Sequence, residues 1–250
     1  KEKPVMVFIH GGSYGWGGSV DPLYNGYNLV KAHPDVVLVT INYRTGLYGF
    51  IDFSKVKGGE AYRESGNLGL LDQVTALKWV RQNISHFGGD PNKITIAGES
   101  AGSSSVNAMC VSPLTKGLFR YAISESSSIT GKKPPHSYKD FADAIKQGKT
   151  LRDELGVSSP VDLRKVPSEK IANTSTQYGT LNAMTNDGYA LKKSPYESYL
   201  AGEHNEKALL TGYNKKDGDL FMLVDKKTNK DTYKESIKAI YPRAYREIIK

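Results

Sequence analysis

Ser100 sits in Gly98-Glu99-Ser100-Ala101-Gly102, behind the apolar run Ile94-Thr95-Ile96-Ala97 and ahead of the small, helix-compatible residues Ala101 to Met109. Strand, sharp Gly-flanked turn and helix is the context in which G-x-S-x-G presents a nucleophilic serine. The glycines are expected on steric grounds, because a Cβ at Gly98 or Gly102 would collide with neighbouring backbone in so tight a turn. Such a turn lifts the hydroxyl above the sheet and aims a helix N-terminus at whatever binds there. A serine hydroxyl is a weak nucleophile at neutral pH. Acyl transfer therefore needs a base, a carboxylate to orient the base, and donors for the oxyanion. His10-Gly11-Gly12-Ser13-Tyr14 follows another apolar run and offers backbone N–H groups in the space that glycine leaves. With the N–H of Ala101 they make a candidate oxyanion hole. The plainer reading of His10-Gly11-Gly12, an ordinary strand-to-helix turn, is disfavoured by its pairing with the downstream serine turn in the right chain order.

The elements that must position these residues follow from patterning. Val5-Met6-Val7-Phe8-Ile9 and Val36-Val37-Leu38-Val39-Thr40-Ile41 are continuous apolar runs, as in strands buried on both faces. Residues 25–33 predict a helix ending before Pro34. Between Gly66 and His86, Leu70, Leu71, Val74, Leu77, Trp79, Val80 and Ile84 recur at helical spacing, and Phe87-Gly88-Gly89-Asp90-Pro91 ends the helix. Ile94 to Ala97 is a third strand and Tyr121 to Ser124 a fourth. Four alternations of strand and helix predict a mostly parallel, doubly wound α/β sheet. Residues 131–206 change texture and read as a helical, lid-like insertion after the fourth strand, with Phe141, Ala142, Ile145, Leu151 and Leu155 on one helical face. Ala208-Leu209-Leu210-Thr211-Gly212 returns as a fifth core strand.

With 250 residues, 38% of them hydrophobic and 24% charged, the chain is neither disordered nor membrane-embedded in composition. No run approaches the roughly 18 apolar residues that span a bilayer. The net charge of +8 is carried mostly by the second half. Its lysines are scattered without interleaved aromatics, so they read as a solvated surface rather than a nucleic-acid site. The single cysteine, Cys110, excludes an intrachain disulfide and is expected to be a buried small hydrophobe. No His/Cys/Asp cluster has metal-ligand spacing, and no cofactor is expected. The chain opens on Lys1, one step before a strand, and stops at Lys250 within a helix-like segment. It is expected to be one domain over 1–250, incomplete at both ends.

The blocks Val7-Phe8-Ile9-His10-Gly11-Gly12, Ile41-Asn42-Tyr43-Arg44, Gly66-Asn67-Leu68-Gly69-Leu70-Leu71-Asp72-Gln73, Phe87-Gly88-Gly89-Asp90-Pro91 and Gly98 to Gly102 together resemble the type-B carboxylesterase family, the carboxylesterase and cholinesterase branch of the α/β hydrolases. Ser112-Pro113, Gly117-Leu118-Phe119, Asp187-Gly188 and Gly212 to Gly218 continue the match. The resemblance implies an α/β-hydrolase fold and hydrolysis of small-molecule carboxylic esters. It implies Ser100 as acyl nucleophile, backbone N–H donors at Gly12, Ser13 and Ala101, and Asp217 as the triad acid, with Asp219 the competing choice. Glu99 is expected to be a buried carboxylate that organises hydrogen bonds behind the site. The alternative from another class, a non-catalytic binding protein on the same scaffold, is disfavoured because such members lose the serine or its turn, and this chain keeps both.

Three departures from the family pattern matter. Asp217 stands where the family usually has glutamate. Ser13 replaces the third glycine of the oxyanion loop, and its Cβ narrows that loop. Esters of tertiary alcohols are therefore expected to be poor substrates, and kcat/KM for a tert-butyl ester close to that of the ethyl ester would contradict this. No histidine follows Asp217. His10, His33, His86, His136 and His204 all read as structural or solvent-exposed, so the base is expected beyond Lys250.

Overall fold

The computed structural model describes residues 2–127, 129–131, 138–177, 183–217, 232–240 and 246. They fall into two compact units, 1–212 and 213–250. Among its described residues the first unit holds seven strands: β1 (Lys3–Ile9), β2 (Val37–Ile41), β3 (Gly89–Glu99), β4 (Tyr121–Glu125), β5 (Tyr138–Asp140), β6 (Met184–Asn186) and β7 (Ala208–Gly212). Five of them form one parallel sheet in the order β2-β1-β3-β4-β7. The first unit also holds helices α1 (Tyr27–Ala32), α2 (Leu47–Phe50), α3 (Leu68–Asn83), α4 (Ala101–Val111), α5 (Phe141–Leu155), α6 (Ser168–Gln177) and α7 (Pro195–Leu200). The described part of the second unit includes the helix Tyr233–Ile240.

The core lies where β1 and β3 meet α3 and α4. Val5, Val7, Ile9, Ile94 and Ile96 are buried against Leu70, Leu77, Val80, Val106 and Met109. The register Val7↔Ile96 and Ile9↔Gly98 sets the end of β1 beside the end of β3. That alignment delivers the His10 loop and the Ser100 turn to the same carboxyl edge of the sheet, the edge where open α/β folds place their sites. Cys110 is buried in this core, and desolvation pushes its thiol pKa up, as a structural cysteine requires.

Several expectations are corrected. β3 begins at Gly89, five residues before Ile94, because Gly89 pairs Lys3 across a register shift that accommodates Pro91. Trp79 leaves the predicted apolar stripe of α3: it is 51% exposed, its ring 6.1 Å from that of Phe87. β7 is the fifth strand of the sheet, as expected, but among the described residues it lies at the edge, and Leu210 on it is 67% exposed. Within the segment 131–206, α5, α6 and α7 are joined by a short parallel pair, β5 and β6, with Lys139 opposite Thr185. The buried face of α5 is Ala144, Gln147, Gly148, Leu151 and Leu155, with Phe141 and Ala142 exposed. The reason is close backbone approach: a Cβ on Gly148 would lie 1.8 Å from the Asp52 carbonyl oxygen. Only small residues seat α5 at that point.

Lys139 fastens the same junction. Its half-buried side chain donates through Nζ to the Phe50 carbonyl and to Gln147 Oε1, both at 2.8 Å. Burial pulls its pKa down to about 7, partly offset by the charge of Asp52. An unfolded lysine keeps its proton to about pH 10. Between about pH 7 and 10 the unfolded chain therefore holds the extra proton, so Lys139 makes the fold more stable as pH rises through that window. Below about pH 7 both states are charged and the full cost of burying the ammonium applies. Thermal unfolding measured from pH 6 to 9 should show this rise in the wild type and a flatter profile in Lys139→Met. Parallel profiles would refute it.

Candidate active site

Ser100 occupies the turn between β3 and α4 with φ 57° and ψ −119°, a region that glycine tolerates and residues with a Cβ do not. The surroundings hold it there. Its N–H donates to the Glu125 carbonyl (3.0 Å) on β4, and its carbonyl accepts from Ser104 N–H (3.0 Å) in the first turn of α4. Its side chain makes no capping bond to the helix, which leaves the hydroxyl available at a half-exposed position. The expected steric roles of the flanking glycines are met: a Cβ on Gly98 would lie 2.5 Å from the carbonyl carbon and oxygen of Gly102, and one on Gly102 would lie 2.0 Å from the Ile9 carbonyl oxygen.

The loop after β1 runs directly alongside. A Cβ on Gly11 would sit 3.2 Å from Ser100 Cβ and 3.0 Å from the Glu99 carbonyl oxygen. Beyond it the chain turns tightly, the Gly12 carbonyl accepting from Gly15 N–H (2.9 Å) and Trp16 N–H (3.2 Å). Gly12, Ser13 and Tyr14 all have positive φ, at 106°, 51° and 58°. Only Gly12 is a glycine, so the two others store strain that buried contacts must hold. Tyr14 supplies them. Its ring is buried against Phe50 (centroids 4.8 Å apart), its hydroxyl donates to Met184 Sδ (3.9 Å) and accepts from Ser105 (3.3 Å), and its carbonyl accepts from Gly46 N–H (2.6 Å). Gly12, Ser13, Ser100 and Ala101 thus lie on two adjoining segments at one sheet edge, Ala101 opening α4, whose first N–H groups have no intrahelical acceptor.

Glu99 differs from expectation. It is exposed, because it is the last residue of β3 and lies on the sheet face opposite Gly98, with Glu125 directly beside it on β4. Asp217 lies in the second unit, half-buried in a turn, where its carboxylate accepts from Asn214 Nδ2 at 3.1 Å and its N–H donates to the Asn214 carbonyl. Gly218, Asp219 and His136 lie outside the described residues. Of the other histidines, His33 and His86 are exposed and His204 pairs with Glu206 (3.1 Å). None of these four, His10 included, has Ser100 as a hydrogen-bond partner among the described residues. Among those residues there is also no group of three His, Cys, Asp or Glu arranged to hold a metal ion, and no helix is long and apolar enough to cross a membrane.

Sequence reasoning missed the polar network behind the serine. Ser103, Ser104, Ser105 and Asn107 are all buried on α4. Ser103 and Ser124 hydroxyls meet at 2.8 Å, Asn107 Nδ2 donates to Ser124 Oγ (2.7 Å), and Tyr199 donates to Asn107 Oδ1 (3.0 Å). The signal was there: three serines in a row are poor surface-helix formers and fit where helix and sheet approach closely.

The carboxylesterase family profile matches residues 1–247. Para-nitrobenzyl esterase of Bacillus subtilis (strain 168) is 39% identical over 229 residues, covering 90% of this chain and 46% of that protein. Acetylcholinesterase of Leptinotarsa decemlineata is 31% identical, covering 89% of this chain and 37% of that protein. Among solved structures, a carboxylesterase of Geobacillus stearothermophilus at pH 6.8 superimposes with a TM-score of 0.84 at 35% identity, covering 96% of this chain and 52% of that one. The chain spans about half the length, or less, of these relatives. Its sheet order, its strained serine turn and the match over nearly every residue lead to one statement: this chain belongs to the carboxylesterase family and has the α/β-hydrolase fold.

Proposed function

We propose that this chain carries the nucleophile and oxyanion donors of a serine hydrolase of small-molecule carboxylic esters. The observation that carries the reading is the contact between two segments far apart in sequence: the Gly11-Gly12 loop lies against Ser100, whose backbone is held in a strained turn at the head of α4. The names of its relatives, para-nitrobenzyl esterase among them, support the substrate class.

Ser100 Oγ attacks the ester carbonyl and gives its proton to a histidine base. The carbonyl oxygen becomes an oxyanion that accepts from the N–H groups of Gly12, Ser13 and Ala101. Collapse breaks the C–O bond, and the alcohol leaves with the proton. Water then attacks the acyl-enzyme by the same route, releasing the acid and restoring Ser100. Asp217 orients the base, Glu99 contributes hydrogen bonds around the nucleophile, and residues 131–206 wall the substrate pocket within a single hydrolase domain.

The test is reaction of the native polypeptide that carries these residues with a fluorophosphonate, read by mass spectrometry. Labelling at Ser100 and its loss in Ser100→Ala are expected. Asp217→Asn should slow labelling by on the order of 10²–10⁴-fold, and Asp219→Asn should leave the rate within a few-fold. A folded polypeptide that takes no label at Ser100 would support the binding-protein reading instead.

A further inference from the structure

His10 ends the strand that feeds the glycine loop, yet the mechanism above gives its side chain no role. The ring is buried, and its environment is specific. Nδ1 lies 2.8 Å from the Gly11 carbonyl oxygen. The ring stacks on Tyr43 with centroids 4.3 Å apart and planes 13° from parallel. Tyr43 in turn donates its hydroxyl to the His10 carbonyl at 2.8 Å. Nε2 is buried with no hydrogen-bond partner among the described residues.

The tautomer follows from these contacts. A carbonyl oxygen can only accept, so the hydrogen between Nδ1 and Gly11 belongs to the imidazole. Protonating Nε2 as well would create a buried N–H facing no acceptor, and burial lowers the pKa of this histidine accordingly. The neutral Nδ1–H form is the one the pocket accepts.

The peptide bond then carries the effect one residue on. In a trans peptide the C=O of residue 11 and the N–H of residue 12 are rigidly antiparallel. Anchoring the Gly11 carbonyl fixes the direction of the Gly12 N–H, and the Tyr43 hydroxyl fixes the preceding peptide in the same way. Two consecutive peptide planes of a glycine-rich loop are thereby held by side chains. Gly17 closes over the arrangement: a Cβ there would lie 2.6 Å from His10 Nδ1 and 2.8 Å from the Gly11 carbonyl oxygen. The bond is thus roofed by backbone rather than left to compete with water.

We propose that His10 is a positioning residue, which holds the Gly11–Gly12 peptide through Nδ1–H so that the Gly12 N–H is set for the oxyanion before substrate arrives. This rests on the ester-hydrolase reading. Preorganisation of this kind acts on the transition state more than on substrate binding.

Three variants test it in the native polypeptide that carries this chain, assayed with p-nitrophenyl acetate. His10→Leu keeps bulk without a donor, and kcat should fall by about 10- to 100-fold with KM within about threefold. His10→Asn keeps an amide N–H near the Nδ1 position and should recover most of the lost kcat. Tyr43→Phe removes one hydroxyl and should lower kcat by a few-fold. Equal losses in the leucine and asparagine variants, or a KM that moves with kcat, would make the ring a packing element only. Imidazole ¹⁵N shifts of His10 give a readout that needs no activity and no variant: the Nδ1–H tautomer is expected, and the Nε2–H tautomer overturns the proposal. If the wild type neither turns over ester nor takes fluorophosphonate while His10 shows the Nδ1–H tautomer, the hydrolase reading fails and the anchoring of the Gly11–Gly12 peptide stands.

Discussion

Ser100→Gly should make this protein more stable and chemically inert. The serine is held at φ 57° and ψ −119°, where a residue with a Cβ costs on the order of 1–3 kcal/mol. Glycine relieves that strain, and its extra freedom in the unfolded chain takes back roughly 0.5–1 kcal/mol. A net gain of about 1 kcal/mol in unfolding free energy is expected. Ser100→Ala keeps the Cβ and the strain, so its stability should stay close to wild type. Both variants should lose acylation completely, because no other hydroxyl takes the place of Ser100 at the turn. Denaturant melts of the three proteins beside fluorophosphonate labelling decide the matter. A glycine variant no more stable than the alanine variant would mean that the turn is not strained, and that the expected trade of stability for a projecting nucleophile does not operate here.

Gly102→Ala should do the opposite and damage fold and site together. The added methyl would lie 2.0 Å from the Ile9 carbonyl oxygen and 2.9 Å from that of His10. Both obstacles are backbone, Ile9 held by β1 pairing with β2 and β3 and the His10 carbonyl by the Tyr43 hydroxyl, so neither can rotate away as a side chain would. Relief requires the first turn of α4 to move off β1, which separates the Ser100 turn from the Gly11-Gly12 loop. We expect a loss of about 3 kcal/mol or more, at the upper end of overpacking costs. Labelling at Ser100 should be lost even at temperatures where the variant is still folded. Gly117→Ala provides the contrast: a Cβ there meets nothing within 4 Å, so only its φ of 77° resists the change. A Gly102→Ala protein that melts and labels like wild type would show that helix and strand are less tightly apposed than this packing requires.

Much of the site could be read in the chain because the constraints that create it are local. A sharp strand-to-helix turn demands glycines on both sides, and Gly98 and Gly102 announce it. The buried strands announce themselves by continuous apolarity, and α3 by its helical period. The readings that failed depended on what lies across an interface. Glu99 is expected to be buried because it adjoins Ser100, but its place at the end of β3 leaves it exposed, its carboxylate beside the Gly11 loop. The expected face of α5 joined Phe141, Ala142 and Ile145 to Leu151 and Leu155, of which Leu151 and Leu155 are buried. The structure instead seats Gly148 against backbone at Asp52, with Ala144 and Gln147 on the same buried face, because the closest approach selects the smallest side chain. Trp79 kept helical spacing but fell at the edge of the buried arc.

Sequence alone therefore determined the family, the strand-and-helix alternation, and the serine turn with the glycines that make it possible. These rest on residue type and short-range spacing, where a missing Cβ or a run of β-branched residues has one structural meaning. Tertiary structure decided that the loop after β1 touches Ser100, that Tyr14 bears the strain of that loop, and that Tyr43 and Gly17 enclose His10. Those contacts join residues far apart in the chain, up to 170 positions for Tyr14 and Met184, and they depend on the β1–β3 register and on the distance between α4 and the sheet. Such distances are set by the packing of many side chains at once, and no short stretch of sequence contains them.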